Sequence, residues 1–389
     1  MAEQQTFDVK GAIRLALNTV DSNLSRFADI YPDDTTLDDI YRPRRAEALG
    51  LPAGSNIGWT TGFWPGMIWL AYELTGNESY RRHAEHHIRS FADRMARRID
   101  VDHHDLGFLY TPTCVAPWRL TSNYEGRKAA LAAADQLMKR YWPKPGIFQA
   151  WGRMDDAEQR GRTIVDSLMN MPLLYWATEQ TGDKQYWDAA YRHTQQLRDH
   201  FVRADNTTFH TFYFDAETGA PRFGKTAQGA GDDSCWARGQ AWALYGFALG
   251  YAYTHDASLL QTAQRVADYF IAHLPADKVA YWDLEYTDGS SEERDSSAAS
   301  IAAAGLLEIS RRLPAGAARN RYSAVALEIM SSLAAGYTSK DVPGSNALLL
   351  HGVYSKPGGH GVDEGNLWGD YFYLESLMRL QRPSWQMYW

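Results

Sequence analysis

Leu74-Thr75-Gly76-Asn77, followed by Tyr80 and an apolar-periodic run to about Arg98, reads as the end of one helix and the start of the next. Glycine closes a helix in a left-handed turn, and Asn or Asp caps the helix that follows. The pattern returns at Gln180-Thr181-Gly182-Asp183, before Tyr186 and a run to about Val202. Variants of it stand at Leu120-Thr121-Ser122-Asn123, Thr254-His255-Asp256 and Leu313-Pro314-Ala315-Gly316. Counted at Thr75, Thr121, Thr181, Thr254 and Leu313, the junctions lie 46, 60, 73 and 59 residues apart. A period of that size means supersecondary units sharing a core, one helical hairpin each. A sixth hairpin follows if the helix over about Leu367–Leu380 pairs with the one over about Val9–Phe27. An open stack would need polar end caps, whereas Tyr371-Phe372-Tyr373-Leu374 is apolar. The expected architecture is therefore all-α: an (α/α)6 barrel occupying 1–389 as a single catalytic domain. One minor short β-hairpin is expected near Thr208–Asp215, where Phe209, Thr211 and Tyr213 alternate.

Composition narrows the partners. The 389 residues carry a formal charge of −8, which disfavours nucleic acid and anionic membranes. Two cysteines make neither a disulfide framework nor a zinc cluster. The polar start Met1-Ala2-Glu3-Gln4-Gln5 has no apolar segment behind it, and no run reaches membrane-spanning length. Cytoplasmic localisation is expected. Fourteen tryptophans and 23 tyrosines are the unusual numbers, and flat aromatic faces suit the stacking of sugar rings.

Function in a toroid belongs to the connections at one end of the ring, here 52–62, 99–118, 142–163, 204–236, 275–296 and 340–366. Two acids stand out in them. Asp105 sits in His103-His104-Asp105-Leu106-Gly107-Phe108, and Asp166 in Arg162-Thr163-Ile164-Val165-Asp166-Ser167-Leu168-Met169-Asn170, read as opening a helix. The apolar flanks of Asp166 should desolvate its carboxylate and raise its pKa toward a value useful for giving a proton. A bland alternative is a capping box, Thr163-x-x-Asp166. For Asp105 the alternatives are a turn-forming acid or a metal site with His103 and His104; no cofactor and no metal is the expectation. His83 and His87 share a helical face that reads as solvated. Two acids in a Trp-lined cavity suit glycoside chemistry, with no choice of linkage.

The motifs resemble those of the unsaturated glucuronyl hydrolases, glycoside hydrolase family 88, over about residues 56–380. The resemblance rests on Gly58-Trp59-Thr60-Thr61-Gly62-Phe63-Trp64-Pro65-Gly66, His104-Asp105-Leu106-Gly107-Phe108, Asp166-Ser167-Leu168-Met169-Asn170, Cys235-Trp236-Ala237-Arg238-Gly239-Gln240-Ala241-Trp242, Arg294-Asp295-Ser296-Ser297-Ala298-Ala299-Ser300 and Trp368-Gly369-Asp370-Tyr371. It implies an (α/α)6 barrel and an uncommon reaction, hydration of the C4=C5 vinyl ether that polysaccharide lyases leave on unsaturated uronic-acid di- and oligosaccharides. It further implies that Asp166 protonates C4 and then activates water. Asp105 would bind the sugar's C2 and C3 hydroxyls and tune Asp166. By the same matching, His210 and Gln228 face the reacting ring, Trp59, Trp236 and Trp242 wall it, and Arg238 is the cation for the uronate. Trp151 serves the neighbouring subsite, and Ser355 and Lys356 offer groups for an anion on the second sugar. The nearest rival is unsaturated rhamnogalacturonyl hydrolase acting on pectin fragments. More distant are an inverting glycosidase and a non-catalytic sugar-binding toroid.

Overall fold

The computed structural model describes residues 7–389; the polar stretch Met1–Gln5 lies outside them. The described residues form thirteen α-helices, and six hairpins account for all of them. The hairpins are α2 (Phe63–Thr75) with α3 (Glu78–Ala96), α4 (Leu106–Tyr110) and α5 (Ala116–Thr121) with α6 (Tyr124–Met138), and α7 (Met171–Thr181) with α8 (Lys184–His200). After them come α9 (Ala237–Thr254) with α10 (Ala257–Ala272) and α11 (Ser296–Arg312) with α12 (Ala317–Gly336). The final helix α13 (Leu367–Gln381) packs on α1 (Val9–Leu24) and closes the ring. The fold is an (α/α)6 barrel.

The turns carry the chemistry read from the sequence. Gly76 at φ 70° and Gly182 at φ 77° end α2 and α7, while Asn77 and Asp183 accept from the backbone N–H of Ser79 and Gln185. Ser122 and His255 take the left-handed position elsewhere, followed by the caps Asn123 and Asp256. The fifth junction differs: Gly316 precedes α12 without a side-chain cap.

The first member of each hairpin is an inner helix. α9 is buried continuously from Ala237 to Gly250, and α13 from Leu367 to Arg379. The second member is an outer helix that buries one stripe. On α8 the stripe is Tyr186, Ala189, Ala190, His193, Thr194 and Leu197, the 3–4 spacing of an amphipathic helix. His87 of α3 belongs to such a stripe rather than to a solvated face: it is 2% exposed, with Nδ1 3.1 Å from the Tyr31 hydroxyl.

Strand content exceeds the single hairpin expected. β3 (Arg162–Ile164), β4 (Thr211–Phe214) and β5 (Pro221–Lys225) form an antiparallel sheet, while β1 (Tyr141–Trp142) pairs with β2 (Ile147–Phe148) and β6 (Gly352–Ser355) with β7 (His360–Glu364). The segment 99–118, expected as a connection, is helical from Leu106 and passes through a π-helical turn at Thr111–Val115. No described helix is long and apolar enough to cross a membrane. At the end of the barrel with the short turns, Trp389 stacks on Phe372 at 5.7 Å, and its Nε1 donates to Glu375 at 2.7 Å. Arg379 there pairs with Glu375 at 3.0 Å and Glu308 at 2.8 Å, all three buried.

Candidate active site

Because every short turn lies at one end, the N-termini of the inner helices converge at the other, and the proposed site residues gather there. Trp59 precedes α2, Asp105 is the N-cap of α4, Trp236 of α9 and Asp295 of α11, and Trp368 lies in the first turn of α13. Asp166 stands before α7, though not on a helix of the kind expected. Arg162–Ile164 is strand, and Asp166 belongs to a 3₁₀ turn, Val165–Asn170, with α7 starting at Met171. Three β-branched residues in succession favour the extended chain, and Pro172 suits the first turn of the following helix. The capping box is not formed: Thr163 pairs across the sheet with Phe212, and the turn has no side-chain cap.

Two contacts bring the acids together. A Cβ on Gly107 would collide with Asn170 Cα, so only glycine lets α4 press on the turn carrying Asp166. Phe108 N–H then donates to Asn170 Oδ1 at 2.9 Å. Between the acids stands His104, 1% exposed, its Nε2 3.1 Å from Asp105 Oδ1 and 3.5 Å from Asp166 Oδ1. The imidazole's one Nε2 proton goes to the nearer acid, and Asp166 Oδ1 is buried without a hydrogen bond. His103 flanks Asp105 from the other side: its Nδ1 accepts Asp105 N–H at 3.1 Å and lies 3.4 Å from Asp105 Oδ2, while its Nε2 lies 3.1 Å from Asp100 O.

The charges follow from this placement. Burial pushes the Asp166 carboxyl up to about 7; the imidazolium of His104 opposes that shift, and the negative Asp105 adds to it. Asp105 goes the other way: burial resists, but the His104 charge and the histidine hydrogen bonds hold it well below the usual carboxylate range. His104 is raised although burial resists, because Asp105 and Asp166 face it. The result is a protonated acid beside an ionised one, the division of labour that proton-transfer chemistry needs.

Aromatic rings and amides surround the pair. Trp59 stacks on Trp368 at 5.0 Å and donates to the Tyr354 hydroxyl at 2.9 Å. His210 packs on Trp236 at 4.8 Å, its Nε2 lies 3.1 Å from Gln228 Oε1, and Gln228 Nε2 donates to Tyr354 O at 2.7 Å. Burial, with the cations Arg162, Arg238 and His104, pushes His210 down to about 4, so it is a neutral hydrogen-bonding group. Trp242 is 1% exposed against Phe108 and Phe372 and supports the floor from below.

The cations are arranged differently from expectation. Arg238 is 1% exposed, paired with Asp295 at 3.2 Å and donating to Tyr354 O at 2.7 Å under the rings of Trp236 and Trp368. It is not a free cation; its field still reaches Asp166. Lys356, just beyond Ser355 at the end of β6, is held by Glu293 and lies 3.7 Å from Glu292, so its ammonium is neutralised where it stands. A cation near the site that sequence reasoning did not single out is Arg162. Its guanidinium lies 4.2 Å above the ring of Trp151, which is 38% exposed, and donates to the amide oxygen of Gln159 at 2.7 Å rather than to an acid. A polar residue in a short strand carries no pattern that would have found it.

His104, Asp105 and Asp166 offer three ligand atoms within 4.8 Å of one another, a spacing a cation could use. A metal would have to displace the proton that His104 gives Asp105. Of the histidine pair considered from sequence, His104 belongs to this group, whereas His103 approaches the other oxygen of Asp105 with a nitrogen that accepts the Asp105 N–H.

Residues 34–374 match the model of Glycosyl Hydrolase Family 88. The chain belongs to this family. It is 44% identical over 383 residues to the unsaturated chondroitin disaccharide hydrolase of Streptococcus pyogenes serotype M1, covering 98% of the chain and 93% of the relative. It is 43% identical over 372 residues to the unsaturated glucuronyl hydrolase of Bacillus sp. (strain GL1), covering 95% and 96%. The crystal structure of unsaturated glucuronyl hydrolase from Streptococcus agalactiae superposes with a TM-score of 0.93 at 42% identity, over 98% and 93% of the two chains. Membership makes this family 88 chain a glycoside hydrolase, and its barrel is that of the solved relative.

Proposed function

We propose that this family 88 enzyme hydrates the C4=C5 vinyl ether of an unsaturated uronic acid at the non-reducing end of lyase-generated glycosaminoglycan oligosaccharides, as one catalytic unit working in the cytoplasm. The observation that carries the mechanism is the Asp166 carboxyl, raised to about 7 beside an ionised Asp105. The Asp166 proton goes to C4 as the double bond's electrons form the new C–H bond. Positive charge is left on C5 and the ring oxygen. The carboxylate then takes a proton from water while the water oxygen bonds to C5, which restores the acid. The hemiketal so formed opens to a ketone at C5, leaving a hemiacetal at C1 that expels the next sugar as an alcohol.

Asp105 accepts the ring's hydroxyls, His210 and Gln228 orient it, and Trp59 and Trp236 wall it, with Trp242 behind. The uronate is drawn by the converging positive ends of the inner helices and by the field of Arg238, in a protein whose overall charge repels it. Trp151 carries the second sugar, with Ser355 and Lys356 at the rim. Relatives named for unsaturated chondroitin disaccharides and unsaturated glucuronyl groups support this substrate class.

The test is loss of the ultraviolet band of the conjugated C4=C5 acid on unsaturated chondroitin or hyaluronan disaccharides. Loss only on unsaturated rhamnogalacturonan would reassign the substrate. Cleavage of a saturated glycoside would sink the vinyl-ether mechanism.

A further inference from the structure

Besides the Asn170 contact with α4, the turn that aims Asp166 is anchored on two further sides. On one, Val165 N–H donates to His210 O at 3.0 Å. On the other stands a chain of groups that the proposed chemistry leaves unused. Phe148 N–H donates to His193 Nδ1 at 3.1 Å. A nitrogen that accepts a hydrogen bond carries no proton, so in the neutral imidazole the proton is on Nε2. That nitrogen is 2.7 Å from Ser167 Oγ, and the Ser167 hydroxyl in turn donates to Ile164 O at 2.6 Å. One arrangement of protons satisfies every member. His193 and Ser167 have no exposed surface. Burial pushes the imidazole down to about 3, helped by the positive His104, so the neutral form persists through the working range.

Two other readings fail on the same geometry. Ser167 with His193 looks like a nucleophile and its base, but the serine is sealed from substrate and the facing nitrogen is a donor. A proton relay to Asp166 also fails, because the chain ends on a carbonyl oxygen. What remains is orientation. Asp166 Oδ1 accepts no hydrogen bond, so its aim comes from the backbone on either side of it, Val165 and Ser167.

We infer that His193 of α8 is a positioning residue: through Ser167 it fixes the 3₁₀ turn that points the Asp166 carboxyl into the pocket. The inference rests on Asp166 being the proton donor. A misplacement on the order of an ångström costs about a hundredfold in rate, so small slack in the turn should register.

The experiment compares His193→Ala, His193→Gln and Ser167→Ala with the wild type on an unsaturated chondroitin disaccharide, following kcat, KM, the pH profile and the unfolding midpoint. His193→Ala and Ser167→Ala should lower kcat by about 10–100-fold, with KM within about threefold and the alkaline limb displaced. His193→Gln, whose amide can donate toward Ser167, should recover part of the loss. Should His193→Ala fail to fold, Ser167→Ala and His193→Gln carry the comparison. Unchanged kcat per folded molecule overturns the inference. So does a loss that follows the folded fraction alone and that Gln does not relieve. A wild type that leaves the unsaturated acid intact, or turnover that survives in Asp166→Asn, would instead sink the assignment of Asp166.

Discussion

His104 Nε2 stands 3.5 Å from Asp166 Oδ1 and gives that oxygen no hydrogen bond, because its proton goes to Asp105. A cation is thus held beside the acid without being bonded to it. It acts through its field, which opposes the rise in the Asp166 pKa.

Removing that field should therefore raise the Asp166 pKa further. In His104→Gln the alkaline limb of kcat/KM, which reports the free enzyme, should lie at higher pH than in the wild type, where burial pushes the Asp166 carboxyl up to about 7. A limb that stays put or moves down would mean that another group governs it.

Asp166→Asn should abolish hydration, by about four orders of magnitude or more, while leaving disaccharide binding measurable by calorimetry. It should also change stability with pH. Folded Asp166 keeps its proton up to about pH 7, whereas the unfolded side chain loses it near the ordinary value of 3.8. Between those limits the native state holds the extra proton, so wild-type stability falls as pH rises through the window. The side chain is 17% exposed at the pocket, which tempers the cost. The variant should gain about 1–2 kcal/mol over wild type at pH 8 and lose most of that gain near pH 4, as read from unfolding midpoints.

Gly107→Ala tests the approach of the two acids. Its new methyl must displace Asn170, whose Cα occupies the space a Cβ would need. Overpacking of this kind costs about 1–3 kcal/mol, and kcat should fall by more than KM rises. Wild-type kcat in a folded Gly107→Ala enzyme would show that the contact does not set the site.

Trp151 and Arg162 test the neighbouring subsite. Trp151→Ala and Arg162→Gln should raise KM by about tenfold, an interaction of roughly 1.4 kcal/mol, and leave kcat near wild type. Arg162→Gln should matter more for a sulfated disaccharide than for an unsulfated one, since its guanidinium is not neutralised as Lys356 is. Equal effects on both substrates would count against it.

Arg379→Met leaves Glu375 buried without a cation and Glu308 with Arg312 alone, 2.6 Å away. Breaking such a group costs about 3–5 kcal/mol, visible as a lower urea midpoint. Activity per folded molecule should be unchanged, since the group lies at the opposite end of the barrel from Asp166.

The ring was legible because its punctuation is local. Gly76-Asn77 and Gly182-Asp183 fix a left-handed turn and a cap within two residues, so hairpins can be counted without knowing what they touch. Asp105 and Asp166 were legible as members of motifs. The partners of the cations were not, because Arg238 with Asp295 and Lys356 with Glu293 join residues far apart in sequence. His193 was illegible for another reason: on α8 it occupies an ordinary stripe position, and only the arrival of Phe148 and Ser167 gives it a task. The extended 162–164 segment reads as helix in the sequence because its neighbour α7 lends it apolar periodicity.

The pairing of α13 with α1 has a consequence for how the molecule is made. Asn23 Nδ2 donates to Asn346 O across 323 positions, and α13 must lie beside α1 for the circle to exist. A chain emerging from the ribosome can stack hairpins in order, but it holds an unsealed horseshoe until α13 has been synthesised. Until then the apolar flank of α1 waits without its neighbour, and that interval is when nascent chains are most exposed to aggregation and most in need of a chaperone.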